Sequence, residues 1–434
     1  GVGLMIARRR RAETTTERMS GKVRTALGLG SILAVASTSQ GCSCGGEEPP
    51  AVSGCGSDCN QKCETALGQG LVGAYTSVAK APDGSIFVAG YNDAVLSNEG
   101  DTLYGDLVVG RYDLGKQSVA WETVDGIPAR EEGTCPDHDP TGWRRGETES
   151  GDDVGLWTSL QVGADGVPKV VYYDATHKAL KYATKVGATW ASYTLKAPPT
   201  PVGDYGRYAK MILVDDKPVV AFLAMEPGEG GKLLSRVIVA RASSASPADP
   251  GAWAFEDAAV DKAGPCRAGS CSGKAVCVKD TGACTTPVTG CTPADCGSGK
   301  ACVTVDGKAT CVSTINASTV EAYPNAFGAY VSLAKTKDGL GMVFYDRIHG
   351  NVVGASHAGG KWTTFLIDGE TGSREQKTAV DTGDVGIGAH LTVGDDGTWH
   401  VTYVNGLDES LRYVPVTTGK PGTVEVVDDG TQVD

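Results

Sequence analysis

Eight side chains with oxygen to offer recur at two equivalent places along this chain, and they mark where chemistry is expected. Asp153, Asp204 and Asp384 each stand two residues before a repeated glycine, with Asn325 beside Ala326 in the corresponding place; Asn92, Asp174, Asp346 and Asn405 each end an apolar run. If those runs are strands gathered around one axis, the eight residues ring one mouth of a central channel. Such a ring suits calcium, which takes about six to eight oxygen ligands, or the hydroxyls of a sugar. The competing reading is that these side chains cap tight turns by accepting from backbone N–H groups.

Hydrolysis of a glycoside needs two carboxylates about 5 to 10 Å apart, one of them with a raised pKa. Aspartates are plentiful, but a distinctive inward glutamate is missing: Glu226 and Glu229 fall in MEPGEGG, which reads as a turn. Lys210 and His390 occupy a position where the other three copies of the repeat carry serine, either as one polar cluster or as a structural pair. Asp137, His138 and Asp139 have no second histidine nearby, so they read as a solvated loop and no metal is assigned to them. No catalytic residue is assigned.

The elements that must position these residues are clearest in Ser159–Leu195, which reads as four short strands separated by Ala-Asp-Gly, Thr-His-Lys and Val-Gly-Ala. One such unit is an antiparallel sheet with two apolar faces, and repeating it at roughly 40 to 60 residues buries those faces by stacking sheets around an axis. The unit recurs from Gly73 (GAYTSVAKAPDG), Gly155 (GLWTSLQVGADG), Gly206 (GRYAKMILVDDK), Gly328 (GAYVSLAKTKDG) and Gly386 (GIGAHLTVGDDG). Each copy continues into a second apolar strand, and Trp121, Trp190, Trp253 and Trp362 open the fourth strand in four of them, as packing between units requires. The expected fold is all-β, a five-bladed β-propeller over residues 71–430 with a disulfide-rich insertion.

The D-G turn, the strand ending Tyr-Asp and the following Leu-Lys-Tyr-Ala strand of the second copy resemble the β-propeller repeats of large secreted and surface proteins of bacteria. That resemblance implies a fold and no reaction. Five-bladed propellers include glycoside hydrolases that cleave arabinan or fructan and lectins that bind sugars between blades, and fold alone does not choose among them.

Two insertions interrupt the repeat. Asp125–Asp152 is a polar stretch of 28 residues holding His138, Trp143 and Cys135, the last expected to form a disulfide with a cysteine of the N-terminal linker, and loops of that length are functional or disordered. The second insertion, residues 264–313, is a tandem duplication: Cys266, Cys271, Cys277 and Cys284, then Cys291, Cys296, Cys302 and Cys311, with Ser-Gly-Lys-Ala before the third cysteine of each half. Eight cysteines in 46 residues with almost no large apolar side chain cannot build a hydrophobic core, so disulfides must hold it. The C-x2-C knuckles that zinc favours are absent. The module is similar to small Cys-rich modules, EGF-like in size, that recur in surface lipoproteins of large-genome Gram-negative bacteria.

From Met19 onward, Lys22 and Arg24 precede an eleven-residue apolar core, Ala26–Ala36, too short to span a bilayer as a helix, which takes roughly 20 residues. Residues 1–41 are therefore expected to be a signal segment, and residues 42–70 a linker carrying Cys55, Cys59 and Cys63 as a disulfide-tied tether. The exit Ser39-Gln40-Gly41-Cys42 resembles the lipobox of bacterial lipoproteins, departing from it at Ser39 and Gln40, and implies acylation of Cys42. Fourteen cysteines point to an oxidising compartment. Removing residues 1–41 leaves 32 basic and 50 acidic residues, a net charge of −18, which argues against nucleic acid as a partner. The sequence thus leads to an exported protein, lipid-anchored in the outer membrane or at the surface of a Gram-negative cell. Its expected role is binding or scaffolding of an envelope protein or a glycan through the face that carries the insertions. No cofactor other than calcium is expected, and the alternative is an extracellular glycoside hydrolase or sugar-binding lectin.

Overall fold

The computed structural model describes residues 71–95, 103–128, 144, 151–228, 233–264, 266, 270–279, 281–292, 296–314, 326–369 and 384–431. The signal segment and linker with Cys42, Cys55, Cys59 and Cys63, and likewise Cys135, Asp137, His138, Asp139, Glu229 and Asn325, lie outside them. The described chain is all-β apart from a three-residue 3-10 turn at Pro250–Ala252 and the 3-10 conformation of Arg144. Sheet I is β1 (Leu71–Lys80), β2 (Ile86–Val95), β3 (Leu103–Asp113) and β4 (Ser118–Asp125); sheet II is β5 (Val154–Val162), β6 (Pro168–Asp174), β7 (Ala179–Val186) and β8 (Thr189–Lys196). Sheet III is β9 (Asp204–Val214), β10 (Lys217–Pro227), β11 (Leu233–Ala242) and β12 (Trp253–Gly264). The Cys-rich module contributes two hairpins, β13 (Val276–Cys277) with β14 (Cys284–Thr285) and β15 (Lys300–Val305) with β16 (Lys308–Ser313). Sheet IV is β17 (Phe327–Thr336), β18 (Gly339–Asp346), β19 (Asn351–Ala358) and β20 (Lys361–Asp368). Sheet V is β21 (Val385–Val393), β22 (Trp399–Asn405), β23 (Leu411–Thr417), β24 (Lys420–Pro421) and β25 (Glu425–Asp428), the last two both pairing with β23.

Within sheets I to IV every strand pairs antiparallel with its sequence neighbour. The hairpins between first and second strands are set by the repeated Asp-Gly: the carboxylates of Asp83, Asp165 and Asp396 accept from the N–H two residues on, at 2.8 to 2.9 Å, closing the turn from its own side chain. Every residue of β6 is buried, whereas β8 is exposed at alternate positions. A strand buried on both sides needs a neighbour on each face of its sheet. Those neighbours are the adjacent sheets: apolar clusters join I to II through Leu160 and Tyr172, II to III through Tyr182 and Met211, III to IV through Val237 and Phe344, and IV to V through Val343 and Val401. The stack is propeller-like. Trp190, Trp253 and Trp362 each pack into the cluster formed with the preceding sheet, the role their recurrence suggested.

The repeated glycine is explained by that stacking. A Cβ on Gly206 would lie 2.7 Å from the Cα of Leu180 in sheet II, and one on Gly155 would lie 2.9 Å from the Cα of Leu107 in sheet I. A side chain there would separate two backbones that touch. Two residues on, Tyr75, Trp157, Tyr208 and Tyr330 all take positive φ, between 48° and 55°, at a bulge in the first strand. Such a backbone costs an L-residue about 1–2 kcal/mol. The bulge turns each ring onto the next, with centroids 5.1 Å apart for Tyr75 and Trp157, 5.0 Å for Trp157 and Tyr208, and 4.7 Å for Tyr208 and Tyr330. Aromatic pairs contribute about 0.5–1.5 kcal/mol each beyond their buried area, which together with that area outweighs the strain. Sheet V carries Gly388 at this position, so the arc of rings ends at Tyr330.

Two expectations change. Glu226 is not in a turn but in β10, opposite Leu234 of β11, because β10 extends past the Tyr-Asp position at which β6 and β18 stop. Sheet V does not end on a full fourth strand: its outer edge is shared by two short segments, and no tryptophan stands there to anchor one. The eight cysteines of the insertion form four disulfides, Cys266–Cys277, Cys271–Cys284, Cys291–Cys302 and Cys296–Cys311. Each half repeats one crossed pattern, first to third and second to fourth. These bonds fit an exported protein, and no helix among the described residues is long and apolar enough to cross a membrane.

Candidate functional site

The residues preceding each first strand meet the ends of the second strands within a sheet. Ala175 N–H donates to the Asp153 carbonyl at 2.8 Å, and Gly406 N–H donates to the Asp384 carbonyl at 2.7 Å. Asp153 with Asp174, and Asp384 with Asn405, are thus brought together in pairs. The carboxylates of Asp153 and Asp384 also reach the preceding sheet. Tyr91 of sheet I donates to Asp153 at 2.9 Å and Tyr345 of sheet IV donates to Asp384, whereas Asp204 accepts from Arg207 Nε of its own strand at 2.8 Å and that guanidinium lies 5.3 Å over the Tyr173 ring of sheet II. Burial first, and Asp153 second, push the Tyr91 hydroxyl well above its usual range, so it stays a donor. At the junction of III and IV the pair is apolar: Leu223 stands where the tyrosine would be and Ala326 where the aspartate would be. A tyrosine and its aspartate are present together or replaced together, as expected of a staple between sheets.

At the second-strand ends the side chains close turns. Asn405 Oδ1 accepts from Asp384 N–H and Leu407 N–H, both at 3.1 Å, whereas Asn92 does not end its strand as expected: β2 runs on to Val95, and Asn92 lies within it, buried opposite Asp106. Asp174 and Asp346 share a second feature that the sequence reading missed, a histidine three residues on. His177 Nδ1 lies 2.9 Å from Asp174 Oδ2 and 3.6 Å from Asp152 Oδ2; His349 Nδ1 lies 2.6 Å from Asp346 Oδ2 and 3.6 Å from Asp261 Oδ2. Among the described residues these two groups, apart from disulfide cysteines, are where three ligand-type atoms lie within 4.8 Å of one another. The remaining ring residues join neither group.

The hydrogen bond to Asp346 raises the pKa of His349 against the opposing effect of its burial. A histidine whose folded pKa is raised contributes stability that is fully present below its unfolded pKa, about 6.5, and is lost as pH rises through the folded value. His349→Gln should therefore cost more stability near pH 6 than near pH 9, as read by urea unfolding of both proteins at each pH.

A concave feature with convergent charge lies between β8 of sheet II and the outer part of sheet III. It is an open cleft of about 520 Å³ lined by Lys196, Pro199, Tyr205, Glu226, Arg236, Ile238, Phe255, Glu256 and Asp257. Arg236 lies at its centre. One terminal nitrogen, Nη2, donates to Glu226 Oε1 at 2.6 Å and to the Tyr205 hydroxyl at 2.8 Å; the other, Nη1, donates to Asp257 at 3.2 and 3.3 Å. Tyr205 in turn donates to Glu226 Oε2 at 2.7 Å. The register explains the gathering: Arg236 opposes Ala224, so Glu226 is its diagonal neighbour on the same face, and the shift between Val237 and Ile238 brings Asp257 alongside. Glu256 is held by Arg241 at 2.9 Å, and the Lys196 ammonium lies 4.7 Å above the Phe255 ring. Two carboxylates are thereby fixed in orientation by one guanidinium, with lone pairs left facing an open cleft.

No family model matches the sequence, and no curated protein matches it. Solved structures are similar at low identity. A Penicillium chrysogenum α-L-arabinanase complexed with arabinobiose is 12% identical, with 82% of this chain and 76% of that chain covered and a TM-score of 0.37. A thermostable family-43 glycoside hydrolase is 11% identical over 85% of this chain and 98% of that one, with a TM-score of 0.36. A Hadza microbial sialidase is 13% identical over 81% of this chain and 66% of that one, with a TM-score of 0.32.

Proposed function

We propose that the chain is an exported five-bladed β-propeller that binds a glycan in the cleft between sheets II and III, held at the cell envelope by acyl chains on Cys42. The observation that carries the binding role is the bridge made by Arg236, which holds Glu226 and Asp257 as oriented acceptors in an open cleft of about 520 Å³. Sugar recognition needs paired acceptors and donors fixed before the ligand arrives, next to some apolar surface, in a cavity of about 300–1,000 Å³. Glu226, Asp257, Arg236 and Lys196 supply the polar part, and Pro199 and the edge of Phe255 the apolar part. A general acid for hydrolysis would need a carboxyl kept protonated by an apolar setting. Glu226 and Asp257 instead each accept from the Arg236 guanidinium in an open, polar cleft. Calcium is proposed as a companion only for the aspartate and histidine turns, where Asp174 and Asp346 lie.

The test is a glycan array of neutral, amino and acidic oligosaccharides probed with the purified full chain, followed by calorimetric titration of each hit and chromatography of the mixture after long incubation. Saturable binding with the sugar recovered intact is the expected result. Cleavage of a hit would replace the binding role by hydrolysis, and an array without hits would remove the glycan.

A further inference from the structure

The inner strands of neighbouring sheets are pinned by one recurring hydrogen bond. Ser77 Oγ accepts from Leu160 N–H at 3.0 Å, Ser159 Oγ accepts from Met211 N–H at 2.9 Å, and Ser332 Oγ accepts from Leu391 N–H at 3.0 Å. In each case the fifth residue of one repeat, counted from its glycine, meets the sixth of the next. At the junction of sheets III and IV the fifth residue is Lys210 and the sixth is Leu333. An ammonium has three donors and no acceptor, so at this junction the repeat position carries a donor where the three junctions above supply an oxygen.

Lys210 has no compensating partner in the described chain. Its half-buried ammonium takes part in none of the hydrogen bonds or ion pairs of the described residues, and burial is the sole cause that lowers its pKa. The other titratable group nearby is His390, on the inner strand of sheet V. Its ring is exposed at one side, its Nδ1 stands 3.5 Å from Ser332 Oγ, and its pKa is lowered by partial desolvation first and by the charge of Lys210 second. Taking an ammonium partly out of water without a counter-charge is unfavourable unless something supplies one. Leaving one unpaired in a chain of formal net charge −13 is unexpected, since carboxylates are abundant and one substitution would pair it.

We propose that Lys210, with the Leu333 N–H and His390 beside it, binds a small oxyanion between the inner strands of sheets III and IV, either free or as the carboxylate of a larger ligand. The oxyanion supplies the acceptor that serine supplies at the other junctions, and it adds the negative charge that the ammonium lacks. The site is separate from the cleft of Arg236.

Lys210→Ser restores the residue the repeat carries elsewhere, so it is expected to fold, and Lys210→Met removes the charge while keeping the length. Wild-type protein and both variants are titrated calorimetrically with sulfate and with acetate in low-chloride buffer, and their thermal midpoints are recorded without added anion. The expected result is saturable one-to-one binding to the wild type that is weaker by at least about tenfold in both variants, the loss of a charge-assisted hydrogen bond. Without anion, Lys210→Ser should melt no lower than the wild type. Sulfate binding alone identifies a free oxyanion, and acetate binding identifies a carboxylate. Equal affinities in all three proteins, or no saturable binding of either anion to the wild type, overturn the proposal.

Discussion

Replacing Arg144 by methionine should destabilise the protein by about 3–5 kcal/mol, the cost of leaving one member of a buried ion pair alone. Arg144 and Asp106 are both fully buried at the side chain, and the guanidinium donates to Asp106 through Nε at 2.7 Å and Nη2 at 3.3 Å. It also donates to the Gly126 carbonyl at 3.3 Å. Burial pushes the Asp106 carboxyl upward, and the neighbouring guanidinium is the strongest influence pulling it back. Without Arg144 the carboxylate must either remain charged in a dry site or take up a proton, and both are costly. The double variant Arg144→Met, Asp106→Asn removes the stranded charge and should recover much of the loss. Urea unfolding of wild type, both single variants and the double variant gives the coupling directly. A loss under about 1 kcal/mol for Arg144→Met would show that the pair is not buried as described.

Arg236→Met should weaken glycan binding by about 100-fold, because two carboxylates lose the group that orients them and are left to repel each other across the cleft. Arg236→Lys keeps a charge but cannot bridge both carboxylates with a planar fork, so an intermediate loss is expected. The guanidinium is part of the cleft wall, so thermal midpoints measured alongside separate an unfolded variant from an unoriented one. Unchanged affinity in a folded Arg236→Met protein would move the binding site elsewhere.

How much of this could be read from the residues depends on whether a feature lies within one repeat or between two. The antiparallel strands and the Asp-Gly turns are local, and alternation and turn chemistry were enough to place them, whereas β2 and β10 run past the ends that the sequence suggested. The duplicated cysteine pattern also called for disulfides, while their crossed connectivity depends on how each small hairpin folds back, which spacing alone leaves open. The staples are different. Tyr91 and Tyr345 sit one residue before the very positions the sequence singled out, but the distance that matters is to Asp153 and Asp384 on the next sheet. Nothing in the periodicity of a single strand reports that contact. A check of which residues vary together between one repeat and the next would have found it, since Leu223 and Ala326 replace the pair together. The cleft was harder still. Glu226, Arg236 and Asp257 come from three successive strands, and their meeting depends on a register shift inside β11 and β12. A glutamate followed by proline and glycine reads as a turn until the strand is seen to continue through it. Arg144 was hidden in the same way, because a buried arginine within a polar insertion has no periodic signature.

The central claim is that the cleft between sheets II and III is the ligand site. Amide hydrogen exchange of the full chain, with and without a saturating oligosaccharide taken from the array, tests it most directly. The account predicts slowed exchange confined to the end of β8 around Lys196, to β11 around Arg236 and to β12 around Phe255 and Asp257. Protection confined to the turns that follow Asp174 and Asp346, with the cleft unchanged, would contradict it.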